Sequence, residues 1–500
     1  MKRVLICFLL LALLLLGCNR NQCATESTAC QFHRDVDQNT FCDLCGNTVL
    51  VWIDFYNIND LHGKLADGQN HPGVDELTTF LKKARATDDY AIFLSTGDMW
   101  QGSSESNLTY GRIIVDWMND LDFAAMALGN HEFDWGEEYI EANAELAEFP
   151  FLAINIYDRQ TNARVDYCEA SAVVDCGAIQ VGIIGAIGDC YSSISPERVQ
   201  DVYFKTGSEL TELVKEESLR LREEEGVDIV VYTLHDGWDT TGNGLFTQDE
   251  LADYYDISLS NGYVDLVFEG HTHQKYLAPD TYGVYHLQNK GDNSGGISHA
   301  VMVYNTLTGE VSTRMPALLG KGSYEHLPDD PIVSELLEKY DEQISISKEV
   351  LGKNGQFRSS DWLRQKVADL YLEAGLEKWG GEYDIVLGGG FLSVRNPYEL
   401  KQGDVTYGML QSIFPFDNEL VLCSIKGSDL LSRFINTANS NYYIRRSGNQ
   451  SIDPNNTYYV VVDTYTSTYA PNRLTEIERY GANIFARDLL AAYITEGKME

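Results

Sequence analysis

From Thr48 onward the hydrophobic positions form a repeating pattern in which short apolar runs rich in β-branched and aromatic residues alternate with stretches whose apolar residues recur at helical spacing. VLVWIDFYNI from Val49, YAIFLST from Tyr90, FAAMALG from Phe123, VGIIGAIG from Val181, DIVVYTL from Asp228 and VDLVFEG from Val264 read as strands. Several are apolar at consecutive positions, as strands covered on both faces are. DELTTFLKKA from Asp75 and the segment from Gly111 to Leu121 read as amphipathic helices. The alternation predicts a layered α/β domain with a largely buried central sheet over residues 48–328. Residues 329–352 read as a long amphipathic linker helix closed by Gly352. Residues 353–500, with strands DIVLGG, ELVLCSI and TYYVVVD, form a second, smaller α/β domain. No internal repeat is visible.

The chain has 500 residues, 44% hydrophobic and 11% aromatic, enough for two or three packed domains. A formal net charge of -38, spread along the chain, repels polyanions, so neither a nucleic acid polymer nor an anionic lipid surface is expected as a partner. A small anionic substrate would need local positive charge from metal ions or a few arginines. Residues 1–17 pair Lys2 and Arg3 with an apolar run too short for a stable span, the pattern of a secretion signal. Leu15-Leu16-Gly17-Cys18 resembles a bacterial lipobox, which implies cleavage before Cys18 and a lipid on its thiol; a plain signal peptide is the alternative. The expected location is therefore the outer face of a bacterial cell membrane, lipid-anchored, or otherwise periplasmic or secreted. Residues 18–47 are polar and cysteine-rich, a small module or tether. There Cys30, His33, Cys42 and Cys45 have the spacing of a structural zinc site, with disulfides and a calcium loop as the other readings. Cys168 and Cys176 flank a short apolar stretch and could close it as a disulfide.

Candidate chemistry sits where the predicted strands end. VWIDFYNI runs into Asn59-Asp60-Leu61-His62, YAIFLST into Gly97-Asp98, FAAMAL into Gly129-Asn130-His131, DIVVYTL into His235, and VDLVFEG into His271-Thr272-His273. In an open α/β sheet the carboxyl ends of strands converge on one crevice, so these scattered residues can meet. Asp, Asn and His with no cysteine among them suit Mn, Zn, Fe or Co. Asp98, alone after its strand, is suited to bridge two ions, and a bridged pair can hold a hydroxide and clamp an in-line displacement at phosphorus.

In order, spacing and neighbouring residues, the blocks around Asp60 and His62, Gly97-Asp98, GNHEFD from Gly129, His235 and GHTH from Gly270 resemble the 5′-nucleotidase family of metallophosphoesterases. The resemblance covers essentially Val49 to the C-terminus. It implies a calcineurin-like dimetal domain, joined by the linker helix to a substrate-binding domain. It also implies two divalent cations, one held by Asp60, His62, Asp98 and His273 and the other by Asp98, Asn130, His235 and His271. His131 would protonate the leaving oxygen or stabilise the transition state, with Asp134 holding its other ring nitrogen. In the second domain the resemblance places Arg358 on the substrate phosphate or carboxylate, and Phe416 and Tyr465 on the two faces of a nucleobase. Two departures stand out. Leu387 takes the place of an asparagine before Gly388-Gly389-Gly390, with Arg395 arriving late, and the glycine-rich stretch expected after Tyr465 is replaced by TSTYAPNR.

The function this implies is hydrolysis of nucleoside 5′-monophosphates or related nucleotides by in-line attack of a hydroxide held between the two ions. Within the same chemistry, a 2′,3′-cyclic-nucleotide phosphodiesterase or nucleotide-sugar hydrolase is the alternative. From another class, a surface nucleotide-binding protein without turnover would keep the fold.

Overall fold

In the computed structural model, residues 49–67, 71–237, 255–291, 294–392, 399–436, 442–468, 473–481 and 484–499 are described. The signal and lipidation readings at residues 1–17 and Cys18, the Cys30, His33, Cys42 and Cys45 cluster, and Arg395 lie outside them. They divide into two compact units, one taking in the chain up to Met99 with Ile114–Ile194 and Val199–Leu336, the other Trp100–Ile113, Ser195–Arg198 and Leu337 onward. The expected boundary near residues 328–353 is thus supplemented by two short segments from earlier in the chain. Asn107, for example, donates its side-chain amide to the Pro415 carbonyl at 3.3 Å within the second unit.

Strand β1 (Leu50–Ile58) is half-buried and buried at alternate positions until its last two residues, both buried. It pairs in parallel with β2 (Ile92–Ser95), followed by β3 (Ala125–Ala127) and β4 (Phe151–Leu152). A short antiparallel ribbon joins β5 (Ile156–Asp158) to β8 (Val202–Phe204). A second sheet is built from β6 (Ser171–Asp175), β7 (Gln180–Ile187), β9 (Ile229–His235), β10 (Leu266–Glu269), β11 (Tyr276–Pro279) and β12 (Tyr285–Gln288). The chain then returns to the first sheet as β13 (Ile297–Asn305), antiparallel to β1, and β14 (Glu310–Leu319), antiparallel to β13. The single buried sheet expected from the sequence is therefore two six-stranded sheets sharing one core.

That core joins Ile53 and Phe55 of β1 and Leu94 of β2 to Ile183 of β7, Val231 of β9 and Phe268 of β10. Each such side chain contributes roughly 1.5–3 kcal/mol by leaving water. The alternate residues Val230, Tyr232 and Leu234 of β9 bury on the opposite face with Leu210, Val214 and Leu221 of the helix Ser208–Glu224. Burial on both faces is why β9 reads as an unbroken apolar run.

Two local expectations are corrected. Cys168 and Cys176 are both unbonded and buried. The five-residue β6 between them spans roughly 13 Å at about 3.3 Å per residue, well beyond the ~7 Å limit for a disulfide. The single linker helix is instead Pro331–Lys339, Asp341–Ile344, a 3-10 turn Ser345–Lys348 and a strand Val350–Asn354. The break falls at Tyr340 (φ -100°, ψ 8°), and the Ile-Ser-Ile-Ser run from Ile344 carries no helical period.

Buried His286 bridges two acids, its Nδ1 2.8 Å from Glu269 Oε1 and its Nε2 3.3 Å from Asp280 Oδ2. Burial opposes the imidazolium, but bonding to Asp280 and Glu269 outweighs it and raises the pKa from 6.5 to about 9. A group that holds its proton more tightly when folded stabilises fully below its unfolded pKa, and the gain is lost as pH rises through the folded one. Urea unfolding should therefore show stability falling between pH 6.5 and about 9, with a shallower fall in His286→Gln. Parallel profiles in the two proteins would remove His286 as the cause.

The second unit has a five-stranded sheet in the order Tyr442–Arg446, Ile385–Phe391, Thr457–Asp463, Leu420–Lys426, Thr475–Arg479. One face packs on the helices Ser360–Trp379 and Ala486–Thr495 through Val367, Tyr371, Leu422, Val461 and Leu490. Ser359 caps the longer helix, its hydroxyl accepting from the Trp362 N–H at 3.3 Å.

Candidate active site

Each predicted donor stands in the turn that leaves its strand, except His235, which is the last residue of β9, and the turns are tied together by the backbone. The Asp60 N–H donates to the Gly97 carbonyl at 3.0 Å and the His62 N–H to that of Asp98 at 3.0 Å. The His271 N–H reaches both carboxylate oxygens of Asp60, at 3.1 and 3.0 Å. Asp60, His62, Asp98, His271 and His273 all have left-handed backbones, with φ of 54°, 52°, 54°, 70° and 55°. Such a conformation costs a non-glycine residue on the order of 1–3 kcal/mol and persists where the surroundings impose it. Its concentration in these donors marks the site independently of residue type. Gly97 (φ +86°) and Gly129 permit the close approach, since a Cβ on Gly129 would stand 2.4 Å from Asp98 Oδ1.

The side chains converge. His62 Nε2 and His273 Nε2 are 3.0 Å apart, and His273 Nε2 is 3.2 Å from Asp60 Oδ1. His235 Nε2 lies 3.3 Å from Asp98 Oδ2 and 3.2 Å from Asn130 Oδ1, which is 2.9 Å from His271 Nδ1. Asp60, His62 and His273 present donor atoms within 4.8 Å of one another, and so do Asp60, Asp98 and His235, so Asp60 stands where the two sets meet. The Nδ1 of His235 lies 2.5 Å from the Thr96 carbonyl, which makes Nδ1 the N–H and turns Nε2 toward the other donors. Burial opposes ionisation of Asp60, but His273 and His235 outweigh it and hold the carboxyl below its ordinary value. At Asp98 burial is outweighed by His235 and His131, and the pKa falls well below 3.8. His235 is in turn raised to about 10, since Asp98 and Asp60 overcome its burial. Oxygen and nitrogen donors converging from two sheets on held backbone fit divalent cations of the Mn, Fe, Co and Zn group.

His131 lies in the 3-10 turn Asn130–Phe133. Its N–H donates to Asp98 Oδ1 at 2.9 Å, its Nδ1 is 2.7 Å from Asp134 Oδ2, and its ring lies 5.4 Å from that of His62. Beneath the turn, fully buried Glu132 accepts from three backbone amides: Asp98 at 2.9 Å, Met99 at 2.8 Å and Gly129 at 2.7 Å.

Residues 53–275 match the family model of the calcineurin-like phosphoesterases. An apyrase of Tabanus yao is 27% identical over 421 residues, covering 76% of this chain and 72% of that protein. Protein UshA of Yersinia enterocolitica is 25% identical over 76% of this chain and 74% of its own. A crystal structure of a 5′-nucleotidase precursor from Thermus thermophilus shares the fold, with a TM-score of 0.67 at 20% identity over 89% of this chain and 97% of that one. Residues 53–275 thus match a calcineurin-like phosphoesterase domain, and most of the chain is similar to apyrase, UshA and 5′-nucleotidase proteins. The chain is a metal-dependent phosphoester hydrolase, and calcineurin-like phosphoesterases work with two divalent cations.

In the second unit of this metallophosphoesterase, Phe416 and Tyr465 are both half-buried. The Phe416 carbonyl accepts from Arg487 at 3.1 Å, and Arg487 is itself buried and paired with Asp417. Tyr465 packs against Phe391, ring centroids 5.7 Å apart. Phe391 ends the glycine strand, and in the sequence it reads as one more apolar residue. Arg358 lies over the Trp362 ring at 4.2 Å, and its backbone pairs with Leu400. Sequence reasoning also misses Glu132, Thr96 and Cys190 around the donor cluster. Only Glu132 leaves a signal, as the acid inside GNHEFD.

Proposed function

We propose that the protein hydrolyses nucleoside 5′-monophosphates or related nucleotides to nucleoside and phosphate, outside the cytoplasm and anchored through Cys18. Asp60, His62, Asp98 and His273 would hold one cation and Asp98, Asn130, His235 and His271 the other. When bound, the cations supply Lewis-acid polarisation of the phosphoryl group.

The observation that carries the reading is the double anchoring of His131. Its N–H is fixed on Asp98 and its Nδ1 on Asp134, which sets the ring beside the donor cluster. Nδ1 serves as donor to Asp134, so Nε2 is the atom that delivers a proton to the departing ribose oxygen. Support for a nucleotide comes from the relatives and from the half-buried aromatic residues of the second unit. Comparing kcat/KM across 5′-monophosphates, 2′,3′-cyclic nucleotides and nucleotide sugars, with Mn, Zn and Co in turn, tests the reading; a clear preference for a cyclic or sugar substrate would overturn it.

A donor cluster that meets only a phosphoryl group cannot distinguish nucleotides from other phosphate esters, so selection must come from the rest of the substrate. We assign that role to Phe416 and Tyr465, stacking on the base. Base stacking is worth about 1–3 kcal/mol, so Phe416→Ala should lower kcat/KM for a nucleoside monophosphate by roughly 5- to 150-fold. Turnover of a small aryl phosphate should barely change. Equal losses on both substrates would make Phe416 a packing residue.

A further inference from the structure

One more donor reaches the cluster, and it is a sulfur. β7 runs beside β9 with Ile187 opposite His235, and Cys190 follows three residues later, in the 3-10 turn Asp189–Ser193. The turn is pinned to the strand that carries His235. The Gly188 N–H donates to the His235 carbonyl at 3.0 Å, the Asp189 N–H to Asp236 Oδ2 at 2.7 Å, and the Cys190 thiol to the His235 carbonyl at 2.8 Å. Cys190 is 6% exposed. Its Sγ, a ring nitrogen of His235 and a ring nitrogen of His271 lie within 4.8 Å of one another. Bonds of about 2.0–2.3 Å to one ion span such a set with small side-chain adjustments.

We infer that Cys190 is a soft donor to the cation held by His235 and His271, so that this position favours thiophilic or borderline ions such as Zn(II), Co(II) and Cd(II) over Mn(II) and Mg(II). The inference rests on the proposed assignment of those two histidines as ligands. On binding, the sulfur–metal bond replaces the S–H bond and the thiol proton leaves to solvent. The thiol's hydrogen bond to the His235 carbonyl is given up at the same time. The other donors are oxygen and nitrogen, so one thiolate changes the hardness of one position and leaves its neighbour unaltered. A buried cysteine is ordinarily packing, but this one is held against the backbone of a donor residue.

The test is the Co(II)-loaded full chain. The wild type should show thiolate-to-cobalt absorption in the near ultraviolet that is absent from Cys190→Ser, and the difference isolates this sulfur from the amino-terminal cysteines. In competition, metal analysis should show the Zn-to-Mn ratio falling by about 10- to 100-fold in the variant. Superimposable spectra with equal ratios would overturn the inference. His235→Ala, run in parallel, should lose one cobalt; if it keeps all of them, the ligand assignment itself fails, which is a separate outcome. Should Cys190→Ser not fold, cadmium-113 resonances of the full chain carrying Cys30→Ser, Cys42→Ser and Cys45→Ser decide. A signal shifted by one thiolate supports the inference, and only oxygen- and nitrogen-type signals overturn it.

Discussion

Replacing His131 by alanine is expected to lower kcat by about 10² to 10⁴ while both cations stay bound. The two halves of this result have separate causes. In the proposed mechanism the imidazole protonates the leaving oxygen, and alanine removes it. The bond that ties residue 131 to Asp98 is made by the backbone N–H, 2.9 Å from Oδ1, and alanine keeps it. Asp98 therefore holds its position, and the donor set it belongs to survives. Asp98→Ala is the contrast, since it deletes that acceptor together with a buried carboxylate of the cluster, and metal should be lost with activity. The leaving group sharpens the test. A nitrophenyl phosphate departs without needing a proton, so His131→Ala should cost less there than on a nucleoside monophosphate. Equal losses on both substrates would remove the proton-donor role, and a cation missing from the alanine variant would show that His131 helps to hold it.

Much of this site is legible in the amino-acid sequence, because its donors follow a positional rule. Largely apolar strands lead into Asp60, Asp98, Asn130, His235 and His271, and the rule that strand ends converge does not depend on knowing which sheet each strand joins. That same independence hides the architecture. An unbroken apolar run says that both faces of a strand are covered without saying by what, so a second sheet and a layer of helices look alike in sequence. The linker departs from its sequence pattern for a different reason. Leu336 and Ile344 keep helical spacing, but the backbone of Tyr340 leaves the helix and the chain continues into a strand at Val350. Cys190 escapes the pattern because it stands beyond its strand end and because cysteine is not among the residue types that make it. The left-handed backbone of Asp60, His62, Asp98, His271 and His273 is a property of the folded chain alone, since none of these residue types announces it.

The second large effect is expected at a residue that touches neither substrate nor metal. Glu132→Ala should destabilise the metal-free protein by at least about 3 kcal/mol, because three buried N–H groups lose their acceptor at about 1–3 kcal/mol each. Those groups belong to Asp98, Met99 and Gly129, so a single carboxylate clamps the turns after β2 and β3 together. The clamp has its own cost. Burial, and then the neighbouring charge of Asp98, push the Glu132 pKa up to about 7. Glu132→Gln separates the two contributions. Its carbonyl oxygen can take the place of Oε2 and keep the bonds from Asp98 and Gly129, while its amide group faces the Met99 N–H, donor against donor. It loses one bond and relieves the buried charge, so its stability should lie close to wild type and far above that of alanine. Urea unfolding in chelator keeps cation binding out of the comparison. Without the clamp, the left-handed turn at Asp98 loses the bond to its own N–H, and the alanine variant should also bind metal more weakly. If Glu132→Ala unfolds within about 0.5 kcal/mol of wild type, the three bonds are replaced by water and the turn after β2 is held by something else.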